Sequence, residues 1–161
     1  METIEKCIDK VQDKFNEREK DFLNAKEYFD KYEDATEGGK IALAVFNEEY
    51  KDYYEDFFDY INQYGLGFDY VEKGTFEDQE RGYFRYQLSW GGPSDEFRIF
   101  VDWDGSIDFI EYWLLDWWDG ANITISEDSL SYEICSWFLE LSDVHGILED
   151  ENTNTKEAYM F

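Results

Sequence analysis

The chain predicts a single α+β domain: a long N-terminal helical hairpin, a four-stranded, mostly antiparallel sheet, and a C-terminal helix packed on that sheet. Three observations predict it. Apolar residues recur at steps of three and four as far as Tyr64; after Gly65 the period becomes two; helical spacing returns near Glu127. The 161 residues fit one domain, divided as 1–64 helical hairpin, 65–118 sheet, 119–148 loop and helix, and 149–161 polar tail.

Residues 1–34 read as one helix. Ile4, Ile8, Val11, Phe15, Phe22, Ala25, Phe29 and Tyr32 form its apolar stripe, and Arg18 alone breaks the series. Its charges are mixed, 11 acids against 7 bases, which is ordinary helix surface. The stripe suits packing within the chain and leaves a homodimer open. Thr36-Glu37-Gly38-Gly39 marks a break. A second helix is expected from Lys40 to Tyr64 with Gly65 as its stop. Leu43, Phe46, Tyr50, Tyr53, Tyr54, Phe57, Ile61 and Tyr64 share one side, and Glu48, Asp52, Glu55 and Asp59 lie opposite as a carboxylate stripe.

Four strands follow: Leu66–Lys73, Tyr83–Trp90, Glu96–Trp103 and Ser106–Asp116, aromatic-rich and separated by turn residues. In the third, Phe97, Ile99, Val101 and Trp103 face one way and Glu96, Arg98, Phe100 and Asp102 the other. The fourth is apolar on both faces, as a central or helix-covered strand would be. A loop over Asp116–Ser126 leads to a helix near Glu127–Ser142, with Ser126 as N-cap and Leu130, Ile134, Trp137, Phe138 and Leu141 as its buried face.

The formal charge is −26, from 40 acids and 14 bases, while aromatic residues make up 20% of the chain. Disordered acidic tails are poor in aromatics, so this is a folded body with surplus surface carboxylate, held at a cost in self-repulsion. A chain so acidic lacks the basic surface that grips nucleic acid or anionic lipid. No apolar run approaches the roughly 20 residues of a membrane span, and the N-terminus lacks a signal peptide's apolar stretch. Cys7 and Cys135, in different predicted helices, read as free thiols, which suits the cytoplasm of an infected or plasmid-bearing host cell. From Ile99 to Thr155 there is no Lys or Arg against 14 acids, so the potential there is uncompensated.

Enzyme chemistry finds little support. His145, the only histidine, sits beside Gly146 in a turn, and neither cysteine lies in a CxxC pattern. Asp102-Trp103-Asp104-Gly105-Ser106-Ile107-Asp108 departs from a calcium loop, because its glycine comes two positions early. Gly91-Gly92-Pro93-Ser94 lacks the lysine of a phosphate loop. Carboxylate pairs at glycosidase separations arise by chance among so many acids. Trp113, Trp117 and Trp118 read as core or interface aromatics. No cofactor and no catalysis are expected.

The charge itself points to a partner. B-DNA offers one negative charge per about 3.4 Å along each strand. Carboxylates at i,i+4 on a helix, or i,i+2 on a strand, recur about every 6–7 Å and so match every second phosphate. Glu48, Asp52, Glu55 and Asp59 make one candidate row. Asp102, Asp104, Asp108 and Glu111 make another, with Asp116, Asp119, Glu127 and Asp128 close in sequence.

In size, charge, aromatic content and scarcity of proline (Pro93 alone), the whole chain resembles the acidic DNA-mimic proteins of phages and mobile elements. The resemblance is one of class, without a shared motif. It implies a protein inhibitor that blocks the DNA-binding cleft of a bacterial defence nuclease, either a CRISPR effector or a restriction–modification enzyme. Gln87-Leu88-Ser89-Trp90-Gly91-Gly92-Pro93-Ser94-Asp95 and Asp116-Trp117-Trp118-Asp119-Gly120 have the look of family signatures. Three other readings stand beside it: an immunity protein neutralising a basic toxin, a small-ligand domain with an aromatic pocket between sheet and last helix, and an acidic protein of a salt-loving organism.

Overall fold

The computed structural model describes residues 5–46, 50 and 53–151. Helix α1 (Cys7–Asp34) is followed by α2 (Glu37–Phe46) and α3 (Phe57–Tyr64). The strands are β1 (Gly67–Val71), β2 (Tyr83–Gln87), β3 (Ser94–Val101), β4 (Ile107–Asp116) and β5 (Asp119–Thr124), and α4 (Leu130–Leu141) comes next. Residues 144–151 are helical again. The class is α+β, and the sheet is an antiparallel meander in the order β1-β2-β3-β4-β5. It has five strands rather than four. The loop expected over Asp116–Ser126 contains β5, which pairs with β4 from Asp116↔Asp119 to Glu111↔Thr124. Its sequence, Asp-Gly-Ala-Asn-Ile-Thr, has too few β-branched or aromatic residues to announce a strand.

One face of the sheet carries the helices. Phe15 of α1 meets Phe97 and Tyr112 at ring distances of 6.4 and 5.7 Å, and Phe138 of α4 lies 4.6 Å from Tyr86. Phe22, Ile99, Ile110, Tyr112 and Cys135 at this interface are fully buried. The α1 stripe is displaced slightly from the expected one. Cys7 and Tyr28 are buried, Ile8 is exposed, and Ile4 lies outside the described residues. Arg18 interrupts the stripe because its guanidinium binds Asp95 of β3, itself 4% exposed.

The second helix is not continuous. Residues 53–56 belong to neither α2 nor α3, and Asp56 caps α3 by accepting a 2.8 Å hydrogen bond from the Asp59 N–H. An aspartate that satisfies free N–H groups starts a new helix as readily as it continues an old one. At α4, Ser129 is the N-cap, accepting from the Tyr132 N–H at 3.2 Å, while Ser126 accepts from the Asp128 N–H in the turn before it. Leu141, expected on the buried face, is exposed, and Leu139 is buried in its place. Trp103 is 91% exposed in the β3–β4 turn rather than facing the core.

Candidate functional site

An antiparallel meander sends alternate connections to opposite ends of the sheet. The β1–β2 loop, the β3–β4 turn and the segment after β5 therefore share one end. The first brings Glu72, Glu77, Asp78 and Glu80, and the second brings Asp102 and Asp104, with Asp108 at the start of β4. The third brings Glu127 and Asp128. The segment 143–146 joins them, since Gly105 of the turn packs against Val144 and His145, which adds Asp143. Glu151 arrives from the far side, accepting hydrogen bonds from the Tyr70 hydroxyl and from the Lys73 N–H. Five strands at about 4.8 Å spacing make this end about 19 Å wide, the rise of five to six phosphates on one DNA strand.

Few cations answer these acids. Arg81 binds Asp108 at 2.8 Å and approaches Asp102 at 3.8 Å. Among the described residues Asp104, Glu127 and Asp128 are exposed and make no ion pair. Hydrogen bonds from the Ser106 hydroxyl (2.6 Å) and N–H (3.0 Å) hold the Asp104 carboxyl below the usual carboxylate range, so it stays anionic in mild acid.

The opposite end is aromatic. Trp90 of the β2–β3 loop is 79% exposed, and Trp117 and Trp118 of the β4–β5 turn are 86% and 100% exposed. Trp117 has φ +54° and its indole lies against Gly92. Exposed tryptophans of this kind serve as anchors at protein interfaces.

The second face of the sheet carries no helix. Across it runs a row in register, Asp69–Arg85–Arg98–Glu111–Thr124. Arg85, Arg98 and Glu111 of this row, with Tyr83, Phe100, Phe109 and Trp113, line a cleft of about 760 Å³, walled on one side by the loop around Phe76–Arg81. Three of the chain's four arginines stand here, and each is matched by a carboxylate: Arg85 by Asp69 (2.6 Å), Arg98 by Glu96 (2.9 Å) and Arg81 by Asp108. The Arg98 guanidinium carbon lies 4.0 Å from the Trp113 ring centre and 4.9 Å from that of Tyr83. Of the two expectations for β4, the central position holds, since it pairs with β3 and β5, while its second face is open, with Phe109, Trp113 and Leu115 half-buried in the cleft.

No family model, curated protein or solved structure matches the chain. The geometry alone carries the reading.

Of the acids singled out from sequence, Asp102, Asp104 and Asp108 lie at the acidic end, and Glu127 and Asp128 lie in the segment that leaves that end after β5. Glu111 does not. It stands on the open face, accepting from the Trp113 indole N–H at 3.1 Å. Asp116 and Asp119 lie at the tryptophan end, and the Asp119 carboxylate accepts from the Cys7 N–H at 2.7 Å, capping α1. That bond outweighs the opposing effect of burial and holds its carboxyl below the usual range. The helical row is described only in part. Glu48 and Asp52 lie outside the described residues, and Glu55 and Asp59 are not on one helix. Asp59 is engaged in the α3 cap, accepting from the Glu55 N–H (3.0 Å) and Gln63 (2.8 Å).

Sequence reasoning missed Glu72, Glu77, Asp78 and Glu80, and the arginine cleft. The signal for the first was present: two consecutive predicted hairpins place their outer loops at one end. Among the described residues no three His, Cys, Asp or Glu side chains are placed to hold a metal ion, and no helix is long and apolar enough to cross a membrane.

Proposed function

We propose that this chain is a non-catalytic DNA mimic that occupies the DNA-binding cleft of a defence nuclease, presenting the acidic end of its sheet in place of phosphates. The observation that supports the reading is the gathering of acids from three separate connections onto one rim about 19 Å wide. Carboxylates dispersed only to keep a protein dissolved have no reason to collect there. A basic cleft lined for phosphates attracts such a rim over long range, and the exposed Trp103 within it supplies an apolar anchor. The partner is a protein with a cationic groove, and the compartment is the cytoplasm it shares with that protein.

The test is protection of targeted DNA in cells carrying restriction or CRISPR nucleases, with and without this chain. Protection by the parent, lost when Glu77, Glu80, Glu127 and Asp128 become lysine, is the expected result. None of the four side chains makes a hydrogen bond or ion pair among the described residues, so the fold is kept. Equal protection by the variant contradicts the assignment.

A further inference from the structure

The open face of the sheet has unfilled hydrogen-bonding capacity that the acidic end does not explain. Tyr83 is 2% exposed, and its hydroxyl has no hydrogen-bond partner among the described residues. Leaving a buried hydroxyl unpaired costs about 1–3 kcal/mol, so a sequence that keeps tyrosine rather than phenylalanine there calls for a reason. Beside it, Arg98 uses only Nε, toward Glu96, and neither of its Nη groups makes a hydrogen bond among the described residues. Tyr83 and Arg98 both line the 760 Å³ cleft.

Charge and shape limit what these groups can receive. Each arginine of the cleft is already neutralised by a carboxylate, and Glu77, Asp78, Glu80 and Glu111 stand around it. A phosphate or carboxylate ligand meets net repulsion there. With its guanidinium carbon 4.0 Å from the Trp113 centre, Arg98 holds its Nη groups next to aromatic surface, so a flat ligand bound at them has an aromatic neighbour. The unused Nη groups are donors only and call for an acceptor; the hydroxyl can supply either role.

We propose that this cleft binds an uncharged planar heterocycle bearing a ring carbonyl, gripped through that acceptor edge by Arg98 and Tyr83 beside Trp113. The assignment does not rest on the nuclease reading, although Glu77, Asp78 and Glu80 of the acidic end also line this cleft.

Guanosine is the probe, titrated into the full chain and followed by the Trp113 indole N–H resonance and by tryptophan fluorescence. Saturable binding is expected, several-fold tighter than that of adenosine, which lacks the carbonyl, and tighter than that of guanosine monophosphate, which adds charge. Tyr83→Phe removes an unpaired hydroxyl, so the variant folds at least as well as the parent, and it weakens guanosine by about fivefold. Arg98→Lys keeps the charge, loses the fork, and weakens it by tenfold or more. No saturable change up to the solubility limit overturns the proposal. So does unaltered affinity in Tyr83→Phe, or preference for the monophosphate.

Discussion

Arg18 grips Asp95 through two hydrogen bonds of 2.8 Å, joining α1 to β3 across 77 positions of sequence. Asp95 also accepts from the Tyr112 hydroxyl at 2.6 Å and from the Ser89 hydroxyl, and the third guanidinium nitrogen donates to Tyr64, which in turn donates to Asp21. This is the one interruption of an otherwise apolar helix face. Removing one member strands a buried charge, so Arg18→Met is expected to cost about 3 kcal/mol or more of unfolding free energy. Urea denaturation measures it. A loss under 1 kcal/mol shows the network to be surface-like.

Acid gives two opposed effects. Burial by itself pushes the Asp95 carboxyl up, but hydrogen bonds from Arg18, Ser89 and Tyr112 and the guanidinium charge outweigh it and hold the group below its usual range. A depressed folded value contributes stability above the unfolded value, about 3.9, that is lost as pH falls through the folded one. Glu19 runs the other way. Burial raises it despite hydrogen bonds from Ser131, so its contribution grows as pH drops toward the unfolded value of about 4.3. Relief of carboxylate repulsion adds to that gain. Melting temperature is therefore expected to rise from pH 7 to about 4.5 and to fall below about 4. In Arg18→Met, which removes the main cause of the Asp95 depression, the fall below about 4 is expected to shrink.

The α3 cap separates Asp59 from its neighbour Glu55. Hydrogen bonds from the Glu55 N–H and the Gln63 amide hold the Asp59 carboxyl below its usual range. Asp59→Lys removes a helix N-terminal acid and its two bonds, and is expected to cost about 1 kcal/mol, as is Asp56→Ala. Glu55→Lys, whose side chain is exposed, is expected to change stability by less than about 0.5 kcal/mol. Thermal unfolding of the three variants separates capping acids from surface acids.

Trp117 holds φ +54° in a two-residue hairpin turn, a conformation that favours glycine and is an outlier for a bulky side chain. With the ring 86% exposed, little packing opposes the strain. Trp117→Gly is expected to raise stability by about 1 kcal/mol, read by denaturation. A loss instead shows that the contact with Gly92 outweighs the strain.

Much of the fold is legible in the residues. The helical steps of Val11, Phe15 and Phe22 and the alternation of Phe97 and Ile99 reflect burial against one sheet face, and periodicity reports burial directly. What escaped reading lacked that signal. The strand Asp119–Thr124 is held by pairing with β4 rather than by apolar side chains of its own, and the helix break at Asp56 depends on a capping bond that a run of apolar residues conceals. The same two omissions misplaced the acids. Without β5, Asp116 and Asp119 stand beside Glu127 in sequence; with it, a strand length separates them. Without the break, Glu55 and Asp59 form a row; with it, one is surface and the other is a cap. The arginine cleft brings together residues from β2, β3 and the β1–β2 loop, and such convergence becomes visible only in register.

The central claim is that acids from separate connections form one phosphate-like rim, and competition tests it most directly. A purified restriction or CRISPR nuclease that the chain inhibits is held at equilibrium with it, duplex DNA is titrated in, and the measurement is repeated across salt. The account predicts mutually exclusive binding, affinity falling steeply as salt rises, and loss of binding when Glu77, Glu80, Glu127 and Asp128 are reversed to lysine while the melting temperature is kept. Simultaneous binding of chain and DNA, or a four-lysine variant that inhibits as well as the parent, contradicts it.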